Sequence, residues 1–568
     1  MTFPVARSPE KSKTRPSQAT LAPDGDASQK GDLLVLEHTA NDRISAVGWR
    51  TKLCKYAAWA SDSAAIASAS DNKAAAQIKT TLAFFGIQPL AAVNTSQSHW
   101  KGVDPTLLKP TQPLPVFILS HPKLASNLPL LIVGSPEIDA NSTQAPLILQ
   151  DKQVTVKILR DTEDTFNLID IASMGVDVPG YMAAQRSIEA IEEEENKRRA
   201  VPLLLGSHET WRPDWTPLFD FGRYWSELDV TARKQGLGRK RMPAADPESL
   251  GSWSLGDVIQ YGEAVGSTQT MLDRNPIMLY GLPVPFVSMA SFQLAGRGRG
   301  KNQWLSPAGC LQFSILLKLP RGFPSNKVVF AQYIAALAIC QGLDDDGKLG
   351  VRIKWPNDIY AEAEGLGQPS SSTDAIDGDR VTASKGRAKL GGILVNSSFV
   401  KGEWHLVVGC GINILNDLPT TSLAQLYELS HKRNGSIGPV TVPTMETSLA
   451  RILVAFEEIW DQFVEEKSFA GFLDEYTGRW LHTDQPVTLT TVKPHLPLVI
   501  KTLELNSGLL RCVRASSEGG AWGSSSYDGY EDRYSTSMSM SSSADRYVDL
   551  QPDGNSFDLM SGLIKQKV

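Results

Sequence analysis

Cysteine is scarce: Cys54, Cys310, Cys340, Cys410 and Cys512 are the only five in 568 residues, and no pair has C-x-x-C spacing. That excludes a disulfide framework and a structural zinc site of the usual kind, and it suits a reducing compartment. No apolar run approaches the ~20 residues of a membrane-spanning helix. Basic charge is not in excess either, with 56 Lys and Arg against 62 Asp and Glu and a net charge of −6. Bulk electrostatics therefore give no pull on nucleic acid, and any anion site must be local. Residues 1–30 lack the apolar stretch of a secretory signal. Arg7, Lys11, Lys13 and Arg15 would suit a transit peptide, but Glu10, Asp24 and Asp26 oppose it. The expectation is a disordered leader on a cytoplasmic protein.

What is present is more telling. Gly296-Arg297-Gly298-Arg299-Gly300-Lys301-Asn302-Gln303-Trp304 sets three glycines and three cations between two apolar runs. Glycine-rich backbone exposes N–H groups that can wrap an anion, the cations neutralise it, and Trp304 offers a flat face for a base. A phosphate-binding P-loop is excluded, because three residues rather than four separate the glycines and Asn302 replaces the metal-binding hydroxyl. A dinucleotide fingerprint is excluded too, because the loop runs into the β-rich segment Leu311 to Leu319 instead of a helix. On composition alone the loop is equally an exposed basic hairpin tip.

The length suggests three or four domains at about 150 residues each. Residues 31–185 read as an N-terminal α/β domain, with a helix over Ala74 to Phe85 and short strands over Val116 to Ser120 and Leu128 to Val133. The charged run from Glu189 to Arg199 marks a linker over 186–218. Residues 219–480 read as an α+β domain, a mixed sheet with helices on one face, holding flexible insertions at Gly236 to Glu248 and Leu366 to Arg387. Its predicted strands include Asp257 to Glu263, Pro285 to Phe292, Arg352 to Lys354, Gly392 to Asn396 and Trp404 to Val408. Ser267-Thr268 is placed to cap a helix, and another is expected from Val328 to Ile339. Residues 481–568 read as a small β-barrel, interrupted by a low-complexity segment at 516–545.

The polar elements fall at the ends of those strands, where they can converge on one rim. In order they are Gly-Arg-Gly-Arg-Gly with Trp304-Leu305-Ser306-Pro307; Lys354-Trp355-Pro356-Asn357-Asp358; Lys389-Leu390-Gly391-Gly392-Ile393-Leu394-Val395; and Gly409-Cys410-Gly411-Ile412-Asn413. This series resembles the biotin protein ligase, or holocarboxylase synthetase, family over about residues 219–568. The closing Pro552-Asp553-Gly554-Asn555-Ser556-Phe557-Asp558 looks like the eukaryotic type.

The resemblance implies that ATP activates biotin to biotinyl-5′-AMP and that the acyl group then passes to a lysine of biotin carboxyl carrier domains in carboxylases. It implies a binding set for biotin of Ser267, Thr268, Gln269, Gln293, Arg297, Gly298, Arg299, Lys389 and Gly392. For ATP it implies Gly300, Trp304, Asn357 and Asn413. Arg297, Arg299, Lys354 and Lys389 would stabilise the charge that builds at the α-phosphate. Asp358 is a candidate for Mg²⁺, or equally a turn-capping aspartate. Ser267 is equally a plain helix cap, and Trp304 a core tryptophan. The N-terminal domain would help select acceptors. No recognition helix for DNA is evident in residues 1–218. The alternatives are a lipoate ligase, which shares fold and adenylation chemistry, and a binding module that has lost catalysis.

Overall fold

The structure is a computed structural model. It describes residues 19–21, 31–38, 44–50, 55–59, 113–187, 200–206, 209, 211–241, 253–300, 302–363, 366, 386–416, 421–435, 440–490, 492–515, 547–551, 555–558 and 563–566. The helix expected over Ala74 to Phe85, most of 366–387 and all of 516–545 lie outside these residues. Two compact units divide at Lys101 and Gly102. In the first, β1 (Ala19–Leu21), β2 (Gly31–His38), β3 (Ile44–Arg50) and β4 (Lys55–Trp59) form an antiparallel sheet in chain order. β1 lies inside the segment expected to be a disordered leader.

The second unit is built on one sheet of twelve strands. Its members are β5 (Val116–Ser120), β6 (Ser142–Leu149), β7 (Lys152–Arg160), β8 (Thr165–Asp170), β9 (Val201–Leu205), β10 (Val258–Val265), β11 (Phe286–Gln293), β12 (Cys310–Leu319), β13 (Val351–Lys354), β14 (Asp358–Glu362), β15 (Arg387–Val400) and β16 (Glu403–Asn413). They lie in the order β13-β14-β15-β16-β12-β11-β10-β5-β9-β8-β7-β6. β5 pairs antiparallel with β10, and β9 pairs parallel with both β5 and β8. Residues 116–205 therefore extend the sheet that was assigned to 219–480, and β9 stands inside the expected linker. No separate domain boundary falls at 185 or 219.

All eight residues of β10 are buried, which requires cover on both faces. On one side Val258, Phe286, Ala290 and Leu316 join Met271, Leu272, Met278 and Ile132 in one apolar cluster. On the other, Tyr261 meets Phe219 and Phe221, where the helix Phe221–Lys234 begins. Helices thus cover both faces, not the one expected. Leu128–Val133 is a helix rather than a strand. Pro129 sits in its first turn, where a missing N–H costs nothing, and a short apolar run alone cannot separate a strand from a buried helix.

Part of the expected flexible insertion at 236–248 is instead firmly held. Arg239 and Arg241 both bind the fully buried Asp257, at 3.0 and 2.9 Å; Arg239 also reaches Glu457 at 2.7 Å, and Arg241 reaches Asp229 at 2.6 Å. Asp257 needs these partners, since an isolated carboxylate in the core would cost several kcal/mol, roughly. The network ties the helix Phe221–Lys234 to the start of β10 and to the long helix Met445–Glu466.

The C-terminal strands β17 (Pro486–Leu489), β18 (Leu496–Leu503), β19 (Leu510–Arg514), β20 (Tyr547–Leu550), β21 (Asn555–Asp558) and β22 (Leu563–Gln566) form one mixed sheet in the order β20-β19-β18-β17-β22-β21. Among the described residues, no helix is long and apolar enough to cross a membrane.

Candidate functional site

β10 and β11 run parallel and end side by side, and the segments leaving their C-terminal ends build the site. After β10, Ser267 accepts a hydrogen bond from Thr270 N at 3.3 Å and caps the short helix Thr268–Asp273, as expected of a cap serine. After β11, Leu294 N donates to Val265 O and Ala295 N to Gly266 O, so the chain enters the glycine loop in fixed register. The loop folds as a hairpin: Trp304 N donates to Gly296 O, Gly298 N to Asn302 O, and Arg297 bridges Gln303. Gly300 turns it at φ +64°, a conformation costly for residues with a Cβ.

A cavity of about 430 Å³ opens beside this hairpin. Ser267, Thr268, Gln269, Gln293, Arg297, Gly298, Arg299, Gly300, Trp304, Lys354, Asn357, Asp358, Lys389 and Gly392 all line it, so the structure brings together every expected site residue but one. The exception is Asn413, which is buried at the end of β16 opposite Cys310 and is not on the cavity wall.

One end of the cavity is a web of neutral hydrogen-bonding groups. Thr268 N donates to Gln293 Oε1 at 2.9 Å, the Thr268 and Ser314 hydroxyls lie 2.9 Å apart, Ser314 Oγ donates to Gln269 Oε1 at 3.2 Å, and Gln269 Nε2 donates to Val407 O at 3.0 Å. Hydroxyls and amides both donate and accept, so this end suits a ligand with a compact mixed pattern of its own.

The other end is cationic. Lys389 Nζ lies 2.8 Å from Asp358 Oδ1, Lys354 Nζ lies 3.8 Å from Asp358 Oδ2, and Arg299 Nη1 donates to Asn357 Oδ1 at 3.2 Å. Asn357 is itself fixed, donating from Nδ2 to Ile393 O at 2.9 Å. Two lysines share one carboxylate, which leaves a surplus of positive charge facing the cavity. Trp304 lies against the backbone of Gly411, where an added Cβ would come within 2.4 Å of its Nε1. Lys389 Nζ stands 5.8 Å from the Trp304 ring centre. Arg297 Nη1 reaches both oxygens of Asp273, at 2.9 and 2.8 Å, so its charge is answered within the protein.

Asp273, Ser314 and His482 were missed from the sequence. Asp273 follows Thr270 by three residues and shares its helix face, and Arg297 lies within 3.4 Å of Thr270 Oγ1, so helical spacing was the available signal. Ser314 had no signal, being one hydroxyl in a strand. His482 accepts the backbone N–H of Trp355 at 3.0 Å on Nε2. Burial, aided by Lys354 and Arg387, pushes its pKa from the ordinary 6.5 down to about 4. The folded state therefore binds this proton less readily than the unfolded chain. The stability tied to neutral His482 is complete above about pH 6.5 and drains away as pH falls toward 4. Urea unfolding at pH 7 and pH 5 should differ by about 2 kcal/mol from this residue alone, and His482→Gln should remove that part of the difference.

Neutral hydrogen-bonding groups and cations thus line one cavity beside the C-terminal ends of β10 and β11. Residues 261–413 match the model of the biotin/lipoate A/B protein ligase family. The biotin–protein ligase of Schizosaccharomyces pombe is 29% identical over 422 residues, 73% of this chain and 57% of that one. The human biotin–protein ligase is 26% identical, over 56% of this chain and 37% of its own length. The chain thus spans just over half of the fission-yeast relative. Among solved structures, a biotin protein ligase from Aquifex aeolicus in complex with biotin and ATP aligns over 46% of this chain and 93% of that one, at 22% identity and a TM-score of 0.32.

Proposed function

We propose that this chain is a biotin–protein ligase. It joins the biotin carboxylate to the α-phosphate of ATP, releasing pyrophosphate, and then passes the acyl group from AMP to a lysine amine on the carrier domain of a biotin-dependent carboxylase. One observation carries the reading: a single cavity joins the Thr268–Ser314–Gln269–Gln293 web to the Arg299–Lys354–Lys389 cations. The web suits the ureido ring of biotin, which both donates and accepts. The cations suit the step in which a carboxylate must approach a phosphate, because two anions meet there and charge builds in the transition state. Trp304, Gly300 and Asn357 line the same cavity and are read as the nucleotide's residues, the indole face suiting adenine.

Among the described residues Asp358 is the one carboxylate lining the cavity, and no group of three or more His, Cys, Asp or Glu that could hold a metal occurs. That donor set fits Mg²⁺ carried in by the phosphates, which Asp358 would help to hold. When bound, the ion would neutralise phosphate charge. Cys310, Cys340, Cys410 and Cys512 are free and buried, which supports a cytoplasmic setting. Residues 31–185 are proposed to help choose the acceptor.

The test is to incubate the full chain with labelled biotin or lipoate, Mg·ATP and an apo biotin carrier domain. Biotin-dependent pyrophosphate release followed by labelled carrier is the expected result. Transfer of lipoate but not biotin would assign the sister activity. Binding of biotin without pyrophosphate release would mark an inactive module.

A further inference from the structure

One wall of the cavity is held from outside it. Trp355 lines the cavity, yet its backbone N–H goes to His482 Nε2 at 3.0 Å and its indole N–H to the Tyr333 hydroxyl at 2.8 Å. Tyr333 then donates to Gly508 O at 2.7 Å, in the turn between β18 and β19. His482 is fully buried, with Nδ1 2.9 Å from Gln485 Oε1 and its ring edge-on to Trp480. Neither His482 nor Tyr333 lines the cavity. The segment around His482 is itself tied to the sheet, since Leu481 N donates to Ile353 O at 2.9 Å and Trp480 bridges Ile353.

These bonds matter because of the residues just beyond Trp355. Asn357 receives Arg299, and Asp358 holds Lys389 and Lys354, so the 355–358 turn is the common reference for three cations on three different segments. Displacing a catalytic group by a fraction of an ångström is enough to slow chemistry without unfolding the protein.

We propose that His482 and Tyr333 are positioning residues for adenylation. By pinning Trp355 they set Asn357 and Asp358, and through them the placement of Arg299, Lys354 and Lys389. The C-terminal module is then a working part of the active site and not only an appended sheet. The proposal rests on reading the cavity as a biotin-adenylating site.

His482 can accept at Nε2 only while neutral. Its tautomer places the proton on Nδ1, toward Gln485. The charged groups that face it are Lys354 on β13 and Arg387 on β15, and both oppose protonation, as burial does. Acid therefore removes the acceptor from Trp355 N.

The experiment uses the full chain and the single-turnover rate of biotin-dependent pyrophosphate release, at saturating ATP and varied biotin, from pH 4 to pH 8. His482→Leu should lower the rate constant about tenfold or more while changing the apparent biotin dissociation constant less than about twofold. His482→Gln, whose Oε1 can replace Nε2 as acceptor, should recover to within about threefold of wild type. It should also lose the acid-side fall in rate that the wild type shows as the pH drops toward 4, where the folded-state imidazole takes up its proton. Tyr333→Phe should slow the step about threefold with little change in Tm. If His482→Leu does not fold, the other two variants decide: an acid limb unchanged in His482→Gln together with a wild-type rate in Tyr333→Phe overturns the proposal. A wild-type chain that releases no pyrophosphate with biotin overturns the ligase reading beneath it. An active wild type with unaffected variants overturns only the positioning role.

Discussion

Arg299→Glu should slow biotin adenylation by at least about a hundredfold, equivalent to about 2.7 kcal/mol of barrier. The size comes from position. Arg299 reaches across the cavity from the glycine hairpin to Asn357, beside the lysines that share Asp358. A carboxylate there would face Asn357 Oδ1 and repel both reacting anions, so the change reverses a favourable field instead of merely deleting it. Arg299→Lys keeps the charge but loses the planar fork, and should retain more activity than Arg299→Glu. Pyrophosphate release measured alongside Tm separates chemistry from folding. A loss of less than about threefold at unchanged Tm would remove Arg299 from the reacting end of the cavity.

The second large effect is expected at a residue with no side chain. Gly411→Ala would put a Cβ 2.4 Å from Trp304 Nε1 and 2.6 Å from Cε2, and real Cβ atoms do not approach so closely. The strand backbone is fixed by pairing with β12 and β15, so the indole must move. Moving it disturbs the face proposed for adenine and the neighbouring Lys389 amine. The expected result is a fall of about thirtyfold in kcat/KM for ATP, with biotin affinity changed far less because the Thr268–Ser314 web lies at the other end. Equal losses for both substrates would mean that the whole cavity had shifted, and an unaffected ATP parameter would mean that Trp304 does not meet the nucleotide.

Much of the cavity was legible because its chemistry needs residue types that rarely cluster. Glycines beside arginines, a lysine before Trp-Pro-Asn-Asp and a lysine before Gly-Gly are conspicuous in sequence. Side chains that act by holding others are not. Ser314 is one hydroxyl in an apolar strand, Asp273 is one acid near a helix end, and His482 lies 127 residues from the Trp355 N–H it receives. The same divide runs through the fold. β10 to β12 and β16 were readable from local pattern, whereas the pairing of β5 with β10 joins segments about 140 residues apart and leaves no mark in either. Arg239 and Arg241 read as part of a flexible insertion because their partners, Asp257 and Glu457, come from elsewhere in the chain.

That long-range pairing has a consequence for how the molecule is made. Residues 113–206 leave the ribosome before any strand from β10 onward exists, and they can assemble β5 to β9 with one side of β5 still open. β10, buried on both faces and paired on both sides, then arrives at an edge already in place. A chain begun at residue 219 would carry every expected cavity residue and yet start its folding with that apolar strand unpaired along one side, exposed to pairing with its own copies.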